Sequence, residues 1–110
     1  MILDADEKKA QDRGRVAWKH HHENLSRLWT RFGTTPKKDP TAGGDFDVAL
    51  ATCRAFAGTP EMFVDFVGER AELGVDPLLV GFEWGDLTSL EVRASFDRFA
   101  DVVMPAMASR

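Results

Sequence analysis

Three consecutive histidines followed by a carboxylate, His20-His21-His22-Glu23, are the residues in this chain whose types most directly suggest chemistry. Their chemistry would be metal binding. Their spacing opposes it, because neighbouring positions on a helix point about 100° apart and cannot converge on one ion. The sequence His-Glu-x-x-His, which places two imidazoles on one helical face, is absent. These histidines are therefore expected on the surface of a helix, one of them leaning on the core, and no metal site is assigned. Cys53 is the only cysteine, which excludes an internal disulfide and fits a reducing, cytoplasmic setting. It is expected to be a buried, inert thiol rather than a nucleophile. Lys37-Lys38 sits in a proline-flanked loop and is expected to be merely solvated. Gly43-Gly44 lacks the further glycines and the preceding strand that a dinucleotide fingerprint requires. No residue is assigned as catalytic.

The elements that must position these residues follow from periodicity. Residues 4–33 form a long helix on this reading, entered through Asp4 and Glu7 and ended by Gly33. Ala10, Ala17, Trp18, His21, Leu25, Leu28, Trp29 and Phe32 share one face of it. Gly14 weakens its middle by about 1 kcal/mol, so its first turns are expected to fray or to form a separate piece. Residues 34–44 are a loop rich in turn residues. A short helical run follows, with Phe46, Leu50 and Cys53 inward, and then a buried strand over Ala55-Phe56-Ala57. Gly58-Thr59-Pro60-Glu61 is a helix entry: Thr59 caps, Pro60 is pre-set for the first helical position, and Glu61 complements the dipole. That helix runs over residues 60–73 and ends at Gly74. Leu78-Leu79-Val80-Gly81-Phe82 reads as a parallel strand buried on both faces. Thr88 and Glu91 form a capping box for a last helix, with Val92, Phe96, Phe99 and Val103 inward and Pro105 ending it. Two strands joined by one helix are expected to pair in parallel, since only a long crossover permits that.

The order Gly58-Thr59-Pro60-Glu61, Gly74-Val75-Asp76, an apolar run ending Phe82-Glu83-Trp84-Gly85-Asp86, and a helix ending Phe99-Ala100-Asp101-Val102-Val103-Met104-Pro105 resembles the carboxy-terminal end of luciferase-like, flavin-dependent monooxygenases. The resemblance covers residues 57–107 well and residues 18–53 loosely. It implies an α/β fold: the carboxy-terminal portion of a (β/α)8 TIM-type barrel, with two to three short parallel strands and covering helices, preceded by a long helix and a loop. Such barrels run to about 250 residues or more, so residues 1–110 are expected to be a single partial domain whose residues 45–110 supply the last βα units. The resemblance also implies a cofactor, FMN or the deazaflavin F420, and a small organic substrate in the complete enzyme. Turns at the carboxyl ends of barrel strands face the active site. Phe82, Trp84, Gly85, Gly58 and Thr59 are accordingly expected to line the cofactor or substrate pocket, and one of the three histidines to approach its wall. The phosphate clamp and any catalytic base would lie in earlier strands, so the isolated chain is expected to bind no flavin tightly and to turn nothing over.

Composition narrows the remaining classes. Hydrophobic residues at 44% and charged residues at 29% are those of a soluble globular protein. The net charge of −4 opposes a nucleic-acid surface, and no apolar run approaches the roughly eighteen residues of a membrane span. Met1-Ile2-Leu3 is too short for a secretory leader and is followed at once by charges. A second functional expectation needs no enzyme. Two or three parallel strands leave open edges, and the aromatic face of residues 18–32 must bury against something, so self-association is expected. The alternative to the barrel reading is thus a small helical interaction protein that oligomerises through these surfaces.

Overall fold

A two-stranded parallel sheet stands at the centre of the structure, a computed structural model that describes residues 1–109. The elements in chain order are β1 (Ile2–Leu3), α1 (Glu7–Phe32), a 3-10 turn (Ala42–Gly44), α2 (Phe46–Ala51), β2 (Ala57–Gly58), α3 (Pro60–Glu72), α4 (Ser89–Arg98), a π-helical turn (Phe99–Val103) and α5 (Met104–Ala108). The fold is mixed α/β and mostly helical.

β1 is a strand that periodicity does not reveal, because two residues have no period. Its register with β2 is Ile2 opposite Ala57 and Leu3 opposite Gly58. The Ile2 amide donates to the Phe56 carbonyl at 2.9 Å and the Asp4 amide to the Gly58 carbonyl at 3.0 Å. Side chains alternate across a strand. Ile2 accordingly enters one core with Ala10, Trp18, Phe46, Ala49 and Ala57. Leu3 enters another with Met1, Phe63 and Val103. Both faces of the small sheet are covered, as parallel strands require.

The expected pairing of residues 55–57 with residues 78–82 does not form. β2 pairs with β1 instead, and Leu78–Phe82 is not a strand. The run lies instead beyond the outer edge of β1, and that edge is closed to it. The Leu3 amide and carbonyl point away from β2, and α4 takes both: Ser95 Oγ accepts from the amide at 3.1 Å, and Arg98 donates to the carbonyl at 3.1 Å. A third strand has no ladder to join there. The 78–82 run touches the sheet only where the Met1 amino group donates to the Gly81 carbonyl. Burial pushes that amino group down from its ordinary value to about 5. Val80 and Phe82 pack into the second core, while Leu79 is 90% exposed.

α1 begins at Glu7 rather than near Asp4. Asp6 is the N-cap and accepts from the Lys9 amide at 3.1 Å, whereas Asp4 accepts from the Asp6 amide and turns the chain out of β1. Gly33, at φ 65°, closes the helix with a bond to the Trp29 carbonyl, as its position implies. The helix is unbroken through Gly14, contrary to the expected fraying. A Cβ at Gly14 would lie 2.5 Å from the Phe46 ring, so the missing side chain is what lets α2 close on α1. The apolar face divides in two. Ala10, Gly14, Ala17 and Trp18 are buried, but Leu28 and Phe32 are exposed. Beyond His22 the loop near Pro36 lies beside the helix and reaches Trp29.

α2 is capped by Asp45, which accepts from the Val48 amide, and buries Phe46 and Ala49. Cys53 follows it at φ 58° and is exposed, which corrects the expected burial. The backbone turns left-handed there and throws the side chain outward, where Sγ accepts from Arg70 at 2.6 Å.

α3 is entered as its sequence implies. Thr59 accepts from the Met62 amide, Pro60 opens the helix and Phe63 is buried. α4 carries the capping box: the Thr88 amide donates to Glu91 at 3.1 Å, and the Glu91 amide to Thr88 Oγ1 at 3.2 Å. Of the expected inner face, Val103 is buried and Phe99 packs on the second core, whereas Phe96 is half exposed and Ser95 is buried in α4. Pro105 does not end the helix. Proline lacks an N–H and its ring crowds the carbonyl four residues back. The chain widens into the π turn, with the Met104 amide bonded to the Phe99 carbonyl, and α5 continues to Ala108. Arg13 ties α1 to α4 by holding Glu91 with two bonds, at 2.6 and 3.0 Å, and the Asp86 carboxylate at 2.9 Å.

Candidate aromatic cleft

A cleft of about 360 Å³ lies between the middle of α1, the segment before β2, and residues 78–84. Trp18 forms its floor and is fixed at both ends. Its indole N–H donates to the Thr41 carbonyl at 2.8 Å, and the Trp84 ring meets it edge-on at 5.4 Å and 83°. His21 completes this wall, 5.0 Å from Trp18 and 6.5 Å from Trp84 between ring centres. Phe56 and Phe63, 4.9 Å apart, make the opposite wall. The volume and apolar lining are those of a small-molecule site.

Gly85 sets the position of Trp84. It sits at φ +64°, and a Cβ there would lie 2.0 Å from the Ala17 carbonyl oxygen. Only glycine lets the 84–86 turn lie this close to the α1 backbone, which seats the Trp84 ring against Trp18.

The five residues expected to line one pocket separate into three places. Trp84 lines the cleft, and Gly85 lies beneath it against α1. Phe82 faces the second core, edge-on to Phe96 and to Phe99 at 5.5 Å each. Gly58 is engaged in the ladder of β2, and the Thr59 hydroxyl is occupied in capping α3. Neither borders the cleft.

The three histidines also separate, as their helical spacing implies. His20 is exposed, with Nε2 3.5 Å from Asp86. His21 is the one that leans on the core and reaches the cleft. Burial lowers its pKa, and the neighbouring His22 lowers it further, so the imidazole is held neutral at ordinary pH. His22 Nδ1 lies 2.6 Å from Thr41 Oγ1, which also bonds Asp39. Asp39 further accepts from the Thr41 and Gly43 amides, and these bonds lower its pKa. Thr41 is 1% exposed, so this Asp–Thr–His contact clips a loop to α1 and offers no accessible nucleophile. Among the described residues no three His, Cys, Asp or Glu side chains gather as a metal would need.

No family model, curated protein or solved structure significantly matches this chain. Among the described residues no helix is long and apolar enough to cross a membrane.

Sequence reasoning placed Trp18 in a core stripe and missed it as a cleft residue, along with Phe56 and Phe63. The signal for them is weak, because a buried aromatic and a pocket aromatic have the same periodicity. Chemically the cleft offers flat apolar surfaces and one neutral imidazole. At its rim, the Arg54 guanidinium and the Glu83 carboxylate have no bonded partner among the described residues.

Proposed function

We propose that this chain is the carboxy-terminal segment of a luciferase-like, flavin-dependent monooxygenase or oxidoreductase, without turnover on its own. The observation that carries this reading is the serial order of its elements. β1 leads into α1, β2 leads into α3, and the apolar 78–82 run, which is not a strand, precedes α4. Consecutive strands that neighbour each other in parallel, each followed by a helix, are the repeating unit of a (β/α)8 barrel. Two such units, with the 78–82 run standing outside the sheet, cannot close a barrel. The residue pattern of 57–107 supports the same family.

On this reading the missing units hold most of the FMN or F420 and the small organic substrate. Of the residues that the resemblance assigns to the pocket, Gly58 and Thr59 stand at the carboxyl end of β2, where a barrel's site lies, whereas Phe82, Trp84 and Gly85 follow a run that is not a strand, and the Trp84 cleft borders Met1 and Phe56, which precede β1 and β2. The protein's share of the chemistry is to position the cofactor and to exclude water.

The test is a chimera in which this chain replaces the carboxy-terminal segment of a luciferase-like barrel. Binding of FMN or F420 that depends on residues 57–104 supports the reading. Flavin binding and oxidation that survive deletion of those residues remove it.

A second reading, a small interaction protein, is favoured by the exposure of Leu28 and Phe32 on α1 and of Leu79. It expects a discrete oligomer with no flavin affinity.

A further inference from the structure

The cleft beside Trp84 stands at the amino ends of the two strands. Met1 and Phe56 border it, and they precede β1 and β2. A barrel's active site lies at the opposite, carboxyl ends. A ligand of this cleft is therefore distinct from the cofactor and substrate of the barrel reading, and the walls of the cleft define its chemistry.

Those walls are flat. Trp18 and Trp84 meet edge-on at one side, and Phe56 and Phe63 at the other. Aromatic rings gain most from offset or edge-on contacts with other rings. A slot between two such pairs favours a planar aromatic ring over a branched aliphatic chain. Its volume, about 360 Å³, is close to the lower limit of about 300 Å³ for small-molecule sites, so the ligand is small.

Three polar side chains border the slot without a partner. His21 is half-buried, and neither ring nitrogen makes a hydrogen bond among the described residues. Its imidazole, held neutral by burial, is able to accept from a ring N–H. Arg54 stands at the rim two residues before Phe56, and Glu83 stands at the rim beside Trp84. Neither is bonded to the other or to any described side chain, so each keeps its full capacity for a ligand. The two charges are of opposite sign and belong to opposite walls. A ligand that is only a cation meets Arg54 with the same sign, and one that is only an anion meets Glu83. A ligand carrying both charges satisfies both.

We propose that this cleft binds a small aromatic zwitterion of the amino-acid class, its indole-like ring between the Trp18–Trp84 and Phe56–Phe63 walls, its carboxylate on Arg54 and its ammonium on Glu83. Arg54 holds the carboxylate by charge-assisted hydrogen bonds. The ring N–H is turned to His21. The site does not depend on the barrel reading, which is tested separately through flavin binding in the chimera.

The experiment is isothermal titration calorimetry of the full chain, without flavin, against three probes. L-Tryptophan carries both charges, tryptamine lacks the carboxylate and indole-3-propionate lacks the ammonium. L-Tryptophan should saturate one site per chain, and each analogue should bind about fivefold more weakly, as loss of one exposed ion pair implies. Arg54→Gln should bring L-tryptophan down to the affinity of tryptamine while keeping the preference over indole-3-propionate. Glu83→Gln should do the reverse. Both substitutions are at exposed positions and should leave the far-UV circular dichroism unchanged. Absence of saturable L-tryptophan binding, whatever the state of the chain, overturns the proposal. So does an analogue that binds the unaltered chain as tightly as L-tryptophan, or discrimination that survives the matching rim substitution.

Discussion

Replacing Gly85 with alanine tests whether the Trp84 turn is seated on α1 as described. Two costs add at this position. The backbone is left-handed, φ +64°, which costs an L-residue about 1–2 kcal/mol. The new Cβ would also lie 2.0 Å from the Ala17 carbonyl oxygen and 2.8 Å from its carbonyl carbon. Those are backbone atoms in the middle of a helix, so the turn must move rather than the neighbour. Overpacking of this kind costs about 1–3 kcal/mol. The restricted unfolded chain returns about 0.4–1 kcal/mol. The net loss is about 3 kcal/mol. Gly74→Ala is the matched control, since Gly74 is also left-handed, φ +83°, but has nothing within 4 Å of its would-be Cβ. It should cost about 1 kcal/mol. Urea unfolding followed by tryptophan fluorescence separates the two. With a slope of about 1.5 kcal/mol per molar urea, Gly85→Ala should lower the midpoint by about 2 M and Gly74→Ala by less than about 1 M. Equal losses in the two variants would refute the close approach. Trp84 would then owe its place to something other than contact with Ala17.

Gly14→Ala should destabilise by about 1–2 kcal/mol despite alanine's higher helix propensity, because the Cβ meets the buried Phe46 ring at 2.5 Å; a gain in thermal midpoint would contradict the α1–α2 packing. Arg13 hydrogen-bonding holds the Glu91 carboxyl down from an ordinary 4.5 to about 2. The folded form thus stays ionised while the unfolded chain takes up a proton, so this contribution is present above pH 4.5 and lost as pH falls toward 2. Glu91 is about one-third exposed, and solvent screening reduces the contribution to about 1 kcal/mol; Glu91→Gln should remove that acid-limb dependence in urea titrations at successive pH values. Cys53, being exposed, should react with a thiol reagent in the folded chain without denaturant; labelling only after unfolding would restore the buried thiol expected from sequence.

Local signals in the sequence carried far, and non-local ones did not. Gly33, Thr59-Pro60 and the Thr88–Glu91 box act within a turn of the chain, and each does what its type implies. The histidine run separates because helical geometry alone decides it. Where a residue's role depends on distant contacts, the reading failed. Gly14 reads as a weakness in the helix because the Phe46 ring that faces it is distant in sequence. Cys53 looked buried because the left-handed turn at φ 58° breaks the helical count. Pro105 looked like a terminator because the π turn that absorbs it is set by packing as well as by sequence. Phe82 and Trp84 lie two residues apart and were expected to share a pocket. The chain carries their rings into different aromatic groups, one with Phe96 and Phe99 and the other with Trp18.

The largest difference, the partner of β2, follows from a competition that composition cannot weigh. The run 78–82 has the stronger strand character, with five apolar or glycine residues against two in β1. β1 nevertheless holds the central place, because Ile2 and Leu3 each complete a separate core and α4 satisfies the outer edge with Ser95 and Arg98. A strand of two residues is thereby worth more than one of five, since position between two cores outweighs intrinsic preference. The displaced run keeps its exposed leucines and its unpaired backbone, and β2 keeps an unfilled edge. In a complete barrel, further strands would alter what β1 meets and release the 78–82 run to pair.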